Sequence, residues 1–306
     1  MLLKQLEFFY LLAVAHLALS ANREELYAMQ GGVEGITKSL IVDGLPDPYE
    51  IDLSALNMTN NFFEGKESKV IGGVEVPMHY FPFQAALYIY FHDRSNTFCG
   101  SSLISQNYVL TAAHCVTNPY HILVVLGAFD LSRNEPTQLR LYASKYTYHA
   151  QWNTNTLQND IAVIRLPTPV KFSVAIRPVT LPTYEDSRYG FEEVNVMVIG
   201  WGKTSDYSET STRLRYVESK VVPNEGCKSY FPSITYAQLC VGSNTIVGPC
   251  NGDSGGPLVH GAKQLGIVSF GSRSCTTGTP SVFTRVSTYL RWIAAHSDVT
   301  MKSSNN

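Results

Sequence analysis

The sequence lacks a long apolar run after its first twenty residues, and its six cysteines include no Cys-x-x-Cys pair. A membrane-spanning helix needs about 20 apolar residues, so nothing beyond the N-terminus predicts one. Cysteine-based zinc sites use closely spaced ligands, which makes zinc a weaker interpretation of these cysteines than disulfides. Neither sign of charge is in large excess, since 23 Lys and Arg residues stand against 25 Asp and Glu residues. The resulting net charge of −2 gives no basic footprint for nucleic acid.

The first twenty residues have the pattern of a secretory signal. Lys4 provides the positive start, an apolar run extends from Phe8 to Leu19, and small residues follow at the cleavage spacing. The alternative, a transmembrane anchor, is disfavoured because the run is short and contains His16. We therefore predict a signal peptide over residues 1–20 and a secreted, extracellular protein. Such a protein pairs its cysteines, although six cysteines allow 15 connectivities.

Residues 21–69 differ from the rest of the chain in charge and pattern. They hold nine Asp and Glu residues against four Lys and Arg residues, a net charge of −5, whereas residues 70–306 carry +3. The segment has no sustained periodicity, no cysteine, and the sequon Asn57-Met58-Thr59. We interpret residues 21–69 as an acidic pro-segment, with an acidic solvated tail as the alternative.

From residue 70 onward, short β-rich runs alternate with Gly, Pro, Asn and Ser clusters, which predicts an all-β fold. The predicted strands are Ala85–Tyr90, Ile122–Leu126, Ile161–Leu166, Val194–Ile199, Leu214–Val222 and Leu265–Phe270. The extended connector 177–182 divides the body into halves of about 70–182 and 183–286, so we expect an active site in the cleft between them. Helical spacing of Tyr289, Trp292, Ile293 and His296 predicts a C-terminal helix over about 287–297.

Three short stretches carry the chemistry. Ser254 lies in the glycine-rich turn Gly252-Asp253-Ser254-Gly255-Gly256-Pro257, while His114 and Asp160 lie far upstream. A serine hydroxyl becomes a strong nucleophile when a histidine accepts its proton, and a carboxylate can orient that histidine. Each residue alone has an ordinary structural explanation. Together they predict a nucleophilic site with Ser254, His114 and Asp160 as its members.

Six motifs follow one another along the chain: Val70-Ile71-Gly72-Gly73, Thr111-Ala112-Ala113-His114-Cys115, Asp160-Ile161-Ala162, Gly200-Trp201-Gly202, Gly252 to Pro257 and Ser269-Phe270-Gly271. In this order they resemble the motifs of the chymotrypsin-like serine proteases, and Gly248 resembles the arthropod chymotrypsin and collagenase types. The resemblance covers nearly all of residues 70–297. It implies two six-stranded antiparallel β-barrels with a C-terminal helix and the active site in the cleft between the barrels.

The resemblance also implies roles for the site residues. Ser254 attacks the scissile carbonyl, His114 acts as base and then acid, and Asp160 orients His114. The backbone amides of Gly252 and Ser254 form the oxyanion hole. An esterase with a nucleophile elbow is disfavoured, because those enzymes run serine, acid, histidine along the chain. A non-catalytic regulatory or binding protein on the same fold is disfavoured by the intact set of three residues.

Activation and disulfide pairing are likewise implied by the resemblance. Cleavage after Lys69 by a trypsin-like activating protease exposes the α-amino group of Val70, which pairs with Asp253. A zymogen of this kind is nearly inactive before the cut. The implied disulfides are Cys99–Cys115, Cys227–Cys240 and Cys250–Cys275.

The substrate pocket is predicted to be open and uncharged. The resemblance puts Gly248 at its floor and Gly271 and Ser281 at its walls, with Ser269 and Phe270 against the extended substrate. This favours Phe, Tyr, Leu or Met before the cleaved bond, with collagenase-like or elastase-like preference as alternatives. No cofactor or metal is expected. In members of the resembled family that bind calcium, an acid occupies the position that Ala128 has here, which implies no calcium dependence.

The expected partners are polypeptide substrates, the activating protease and protein inhibitors, with no nucleic acid or membrane, and the protein is expected to be a monomer. Digestion is the predicted role. A long pro-segment keeps developmental or immune signalling as an alternative.

Overall fold

The computed structural model describes residues 73–242 and 248–301. The predicted signal peptide, the pro-segment and the processing site at Lys69 and Val70 lie outside these residues. No helix within the described ranges has both the length and the apolar character needed to cross a bilayer.

The described residues are mostly β, as predicted. The strands are β1 (Val74–Glu75), β2 (Gln84–Phe91), β3 (Asn96–Leu103), β4 (Tyr108–Thr111), β5 (Pro119–Leu126), β6 (Leu139–Ala143), β7 (Lys145–Tyr148), β8 (Ala162–Arg165), β9 (Asn195–Gly200), β10 (Arg215–Val222), β11 (Gln238–Gly242), β12 (Pro257–His260), β13 (Lys263–Phe270) and β14 (Ser281–Arg285). The helices are α1 (Asn224–Lys228) and α2 (Leu290–His296), with 3₁₀ turns at Ala113–Cys115, Asp186–Arg188 and Val286–Tyr289.

The first sheet closes into a six-stranded barrel. Its antiparallel order is β6-β5-β2-β3-β4-β8-β7. Only Ser144 separates β6 from β7, so this stretch acts as one bent strand that pairs with β5 at one end and with β8 at the other. Pairing at both ends leaves no free edge, which is how a barrel satisfies its backbone groups.

The second sheet forms a closed ring of six strands in the order β9-β10-β11-β14-β13-β12, and β12 pairs back with β9. One strand departs from the predicted boundary. Although β1 belongs by sequence to the first half, it pairs with β10 of the second barrel. The side chain of Glu75 reinforces that position, since it forms ion pairs with Arg213 and Arg215 at 3.3 Å.

All six predicted strands are confirmed in place. Their apolar side chains contribute to two buried cores, with Leu87 and Ile122 in the first and Val198 and Leu265 in the second. The predicted C-terminal helix is also confirmed, although its first turn is 3₁₀. Ile293 is buried on its inner face.

The two barrels meet through glycines beside Ser254. The amide of Gly100 on β3 donates to the carbonyl of Ser254 at 2.7 Å. A Cβ at Gly100 would lie 2.8 Å from Gly256, and one at Gly255 would collide with the hydroxyl of Thr111. Gly255 also has φ +76°, a left-handed conformation that side chains disfavour. Close backbone contact therefore fixes the serine turn against the first barrel.

We predict that Gly255→Ala lowers the free energy of unfolding by about 2 kcal/mol or more, because it adds both backbone strain and a clash. The matched control is Gly226→Ala in α1, where a Cβ meets nothing within 4 Å and alanine favours the helix. Thermal unfolding monitored by circular dichroism checks the pair. Equal melting temperatures for the two variants would contradict the prediction.

Candidate active site

His114 lies at the end of the first barrel, in the 3₁₀ turn that directly follows β4. The Cys99–Cys115 disulfide connects this turn to β3. The imidazole is half-buried, with 28% of the side chain exposed. Both its backbone amide and its Nδ1 face Asp160, at 2.9 Å and 2.8 Å. The Nδ1 contact orients the ring and leaves Nε2 directed away from Asp160, while the amide bond ties the backbone of His114 to the same carboxylate.

Asp160 lies just before β8, and its side chain is fully buried. Besides the bonds to His114, its Oδ2 accepts a hydrogen bond from the Ser269 hydroxyl at 2.5 Å. Its backbone carbonyl accepts one from Thr284 at 2.8 Å. Ser269 and Thr284 come from β13 and β14 of the second barrel. A carboxylate removed from water needs such partners, so Asp160 is satisfied only when both barrels are in place.

The neighbouring charge sets the titration of His114. Burial alone lowers the pKa of the imidazole, but the negative charge of Asp160 and the hydrogen bond between them raise it, and the net pKa lies above its ordinary value. The ring is therefore a stronger proton acceptor than a free histidine.

Ser254 lies on a turn shaped by glycines, with Gly252 at φ +100°. The amide of Asp253 donates to Cys250, and that of Gly255 donates to Val268. Among the described residues, the amides of Gly252 and Ser254 have no protein acceptor. Two free donors beside a hydroxyl are what an oxyanion-binding site requires.

The structure brings the Ser254 turn against the His114 turn. Thr111 donates to the carbonyl of Gly100 at 2.9 Å, and a Cβ at Gly255 would lie 3.1 Å from the sulfur of Cys115. Within the described ranges no hydrogen bond joins the hydroxyl of Ser254 to His114. Such bonds are often long without substrate and shorten when substrate binds.

A pocket of about 290 Å³ adjoins Ser254. All five residues predicted to contact substrate line it, together with the nucleophile candidate: Gly248, Ser254, Ser269, Phe270, Gly271 and Ser281. A Cβ at Gly271 would lie 3.2 Å from the Ser281 hydroxyl, so glycine keeps this wall open. No acid is among the described lining residues, and Arg273 is the one charged side chain. A larger cavity of about 810 Å³ near Tyr236 and Arg291 contains none of the predicted site residues.

All three disulfides implied by the resemblance are present, and the described residues include no free cysteine. The zinc interpretation of the cysteines is therefore wrong, because disulfide sulfurs are not thiolate ligands.

Asp206 supports one wall of the pocket and was not predicted from the sequence. Its carboxylate accepts hydrogen bonds from the Ser274 hydroxyl at 2.6 Å, the Cys275 amide at 2.7 Å and the Thr276 hydroxyl at 2.8 Å. The Cys250–Cys275 disulfide holds the same wall covalently. No local pattern marks Asp206, since its partners lie about 70 residues later in the chain.

The family model described as Trypsin matches residues 70–293. The chain belongs to the trypsin family. This trypsin-family protein is a serine endopeptidase, similar over most of its length to arthropod relatives. It is 40% identical to brachyurin of Leptuca pugilator, a match covering 76% of this chain and 100% of the relative. It is 36% identical to chymotrypsin of Phaedon cochleariae, covering 75% and 83%. The solved structure of HL collagenase superposes with TM-score 0.71 at 33% identity, covering 76% and 100%.

We predict that Asp206→Ala raises KM for a short amide substrate about three- to tenfold, with a smaller change in kcat. The substitution removes three acceptor interactions from the pocket wall and leaves His114 untouched. The control is Asp186→Ala, since Asp186 also accepts several hydrogen bonds but does not line this pocket. Steady-state kinetics at several substrate concentrations measures both constants. A KM equal to that of the wild type would contradict the prediction.

Proposed function

We propose that the protein is a secreted serine endopeptidase made as a zymogen and activated by cleavage after Lys69. In this proposal it hydrolyses peptide bonds on the carboxyl side of large uncharged residues. The observation that carries it is the 2.8 Å contact of His114 with a buried Asp160, combined with a Ser254 turn packed against the His114 turn and lining the substrate pocket.

The proposed reaction proceeds through an acyl-enzyme. Ser254 Oγ attacks the scissile carbonyl carbon while His114 accepts its proton, and the resulting oxyanion receives hydrogen bonds from the amides of Gly252 and Ser254. The imidazolium next to Asp160 then donates its proton to the leaving amine, which breaks the C–N bond. A water molecule, deprotonated by His114, releases the acid product and regenerates Ser254.

The pocket supports a preference for uncharged side chains. A substrate lysine or arginine needs a buried carboxylate, and none is among the described lining residues. Gly248 and Gly271 leave room at the floor and mouth, and a Cβ at Gly248 would lie 3.8 Å from Ser281. Large aromatic or aliphatic side chains fit such a space and gain from leaving water.

The environment of Asp253 supports activation by a new N-terminus. Asp253 is buried, and its carboxylate accepts hydrogen bonds from the amides of Gly202 and Cys250 at 2.8 Å and 2.9 Å. No cationic side chain of the described residues pairs with it. Burial raises the pKa of Asp253 to about 6, although the two amide bonds lower it. The protonated form of Asp253 favours the folded state. Its contribution to the free energy of unfolding is therefore full below the pKa of the unfolded chain and is lost as pH rises through about 6. In this proposal a Val70 ammonium beside the ionised carboxylate restores that free energy.

The proposed setting is extracellular digestion of polypeptides, with a trypsin-like protease as activator and protein inhibitors as further partners. The names of the relatives, brachyurin, chymotrypsin and collagenase, support a proteolytic role of this kind. Three disulfides within the described body support an extracellular location.

We expect a fluorophosphonate to label Ser254 in protein processed after Lys69, and to label the uncut Lys69→Gln variant much more slowly. Activity should rise in parallel, because ordering the site requires the Val70 ammonium. Mass spectrometry of the labelled peptide measures the labelling, and hydrolysis of a Phe- or Leu-containing amide measures the activity. Ser254→Ala is the control that removes the label. Full activity of unprocessed Lys69→Gln would refute the activation proposal.

The pH profile of kcat/KM should fall on the acid side with a midpoint above about 6.5, the ordinary histidine pKa. The reason is that His114 acts only when neutral and Asp160 raises its pKa. In Ser269→Ala, the Asp160 oxygen facing His114 loses a hydrogen-bond donor, so the midpoint should move further upward. A midpoint below that of free histidine would contradict the assignment. On the alkaline side, activity should fall as the Val70 ammonium loses its proton.

A further inference from the structure

The first barrel carries a row of aromatic side chains on its outer face that the proposed mechanism does not use. We name it the aromatic ridge, and it consists of Phe98, Tyr88, Tyr142, His121, Tyr120 and His92. Tyr142 and Tyr120 are 64% and 58% exposed. Clustered exposed apolar surface on a soluble protein commonly marks a binding site.

The ridge begins at the proposed oxyanion hole. A Cβ at Gly252 would lie 3.5 Å from Cδ1 of Phe98, so the Phe98 ring is in contact distance of the turn that carries Ser254. Tyr88 packs edge-on against Phe98 with ring centroids 5.2 Å apart. Phe98 does not line the pocket of about 290 Å³, whose described walls all come from the second barrel. The ridge and the pocket therefore start from the same turn and belong to different barrels.

Strand register extends the ridge across the sheet. Tyr88 on β2 pairs with Leu123 on β5, and Leu123 pairs with Tyr142 on β6. Directly paired residues point to the same side of a sheet, so the two tyrosines flank Leu123. Leu123 is only 6% exposed, which is consistent with cover from the rings on either side.

The exposed end of the ridge is also a connected set of rings. His121 lies 6.3 Å from Tyr142 and 4.1 Å from Tyr120, measured between ring centroids. Tyr120 in turn contacts His92 at 5.3 Å. The ridge thus spans four neighbouring strands, β3, β2, β5 and β6. With strands about 4.8 Å apart, this is roughly 14 Å, the length of about five extended residues.

We propose that the aromatic ridge binds the part of an extended polypeptide substrate that follows the scissile bond, through its apolar and proline side chains. This rests on the proposed function. The pocket lies on the second barrel, and Phe98 of the first barrel lies beside Gly252. In this proposal the acyl-side side chain occupies the pocket, and the leaving segment passes Gly252 toward Phe98. Flat aromatic rings bind extended, proline-containing chains well, because such chains lose little conformational entropy.

The test compares two substrates with identical acyl residues. One ends in p-nitroanilide, and the other continues for about five or more residues containing proline and leucine. We expect the double variant Tyr120→Ala/Tyr142→Ala to lower kcat/KM about tenfold for the long substrate, mainly through KM, as loss of aromatic anchors does. The anilide has no atoms over the ridge, so its rate should not change.

Two matched variants sharpen the result. Tyr142→Phe keeps the ring and should retain long-substrate activity. Tyr236→Ala removes a tyrosine that is 78% exposed on the second barrel and should affect neither substrate. Unchanged cleavage of the long substrate by the double variant, or an equal loss on both substrates, overturns the proposal. An activated wild type that cleaves neither substrate and resists fluorophosphonate instead overturns the proposed function, so the two failures are distinguishable.

Discussion

The hydrogen bonds to the buried Asp160 are the interaction on which the rest of the structure depends. Asp160 belongs to the first barrel, whereas the Ser269 and Thr284 hydroxyls that donate to it belong to the second. An unpaired buried charge costs several kcal/mol, so folding of either barrel alone leaves this site unsatisfied. The same charge orients His114 and raises its pKa. Barrel docking and the chemistry proposed for the site therefore have one electrostatic cause.

Close backbone approach is the second constraint, and it explains why the serine turn is rich in glycine. The proposed oxyanion hole needs amides that donate to no protein acceptor. A regular strand or helix would use those amides in its own hydrogen bonds. The turn leaves them free because Gly252 adopts a positive φ while Gly100 and Gly255 let the first barrel approach the backbone directly. Side chains at these positions would separate the two barrels. The barrel contact and the geometry around Ser254 thus depend on the same few residues.

The sequence predicted what is encoded locally. The β2 and β5 strands are short apolar runs between turn residues, and the Ser254 turn is a compact motif, so each was recognisable within a few positions. Asp206 and the aromatic ridge were not, because they depend on pairing between distant segments. Nothing near Tyr88 specifies that Tyr142 lies two strands away, since one residue of register shift would turn it to the other face. Likewise β1 pairs with β10 of the second barrel. Its place in the chain predicted that it belongs to the first half, because chain order does not indicate this long-range pairing.

Asp160 and Asp253 show how burial leads to different outcomes for two acids. Asp160 has the His114 imidazole as a partner that can carry positive charge, and the Ser269 hydroxyl and the His114 amide also donate to its carboxylate. Asp253 has only two amide donors among the described residues, and burial raises its pKa to about 6. Among the described residues, the carboxylate of Asp160 therefore has a partner that can carry positive charge, and that of Asp253 has none. In the proposed activation the α-ammonium of Val70 supplies that missing charge, so the free energy that orders the Ser254 turn depends on the cut after Lys69.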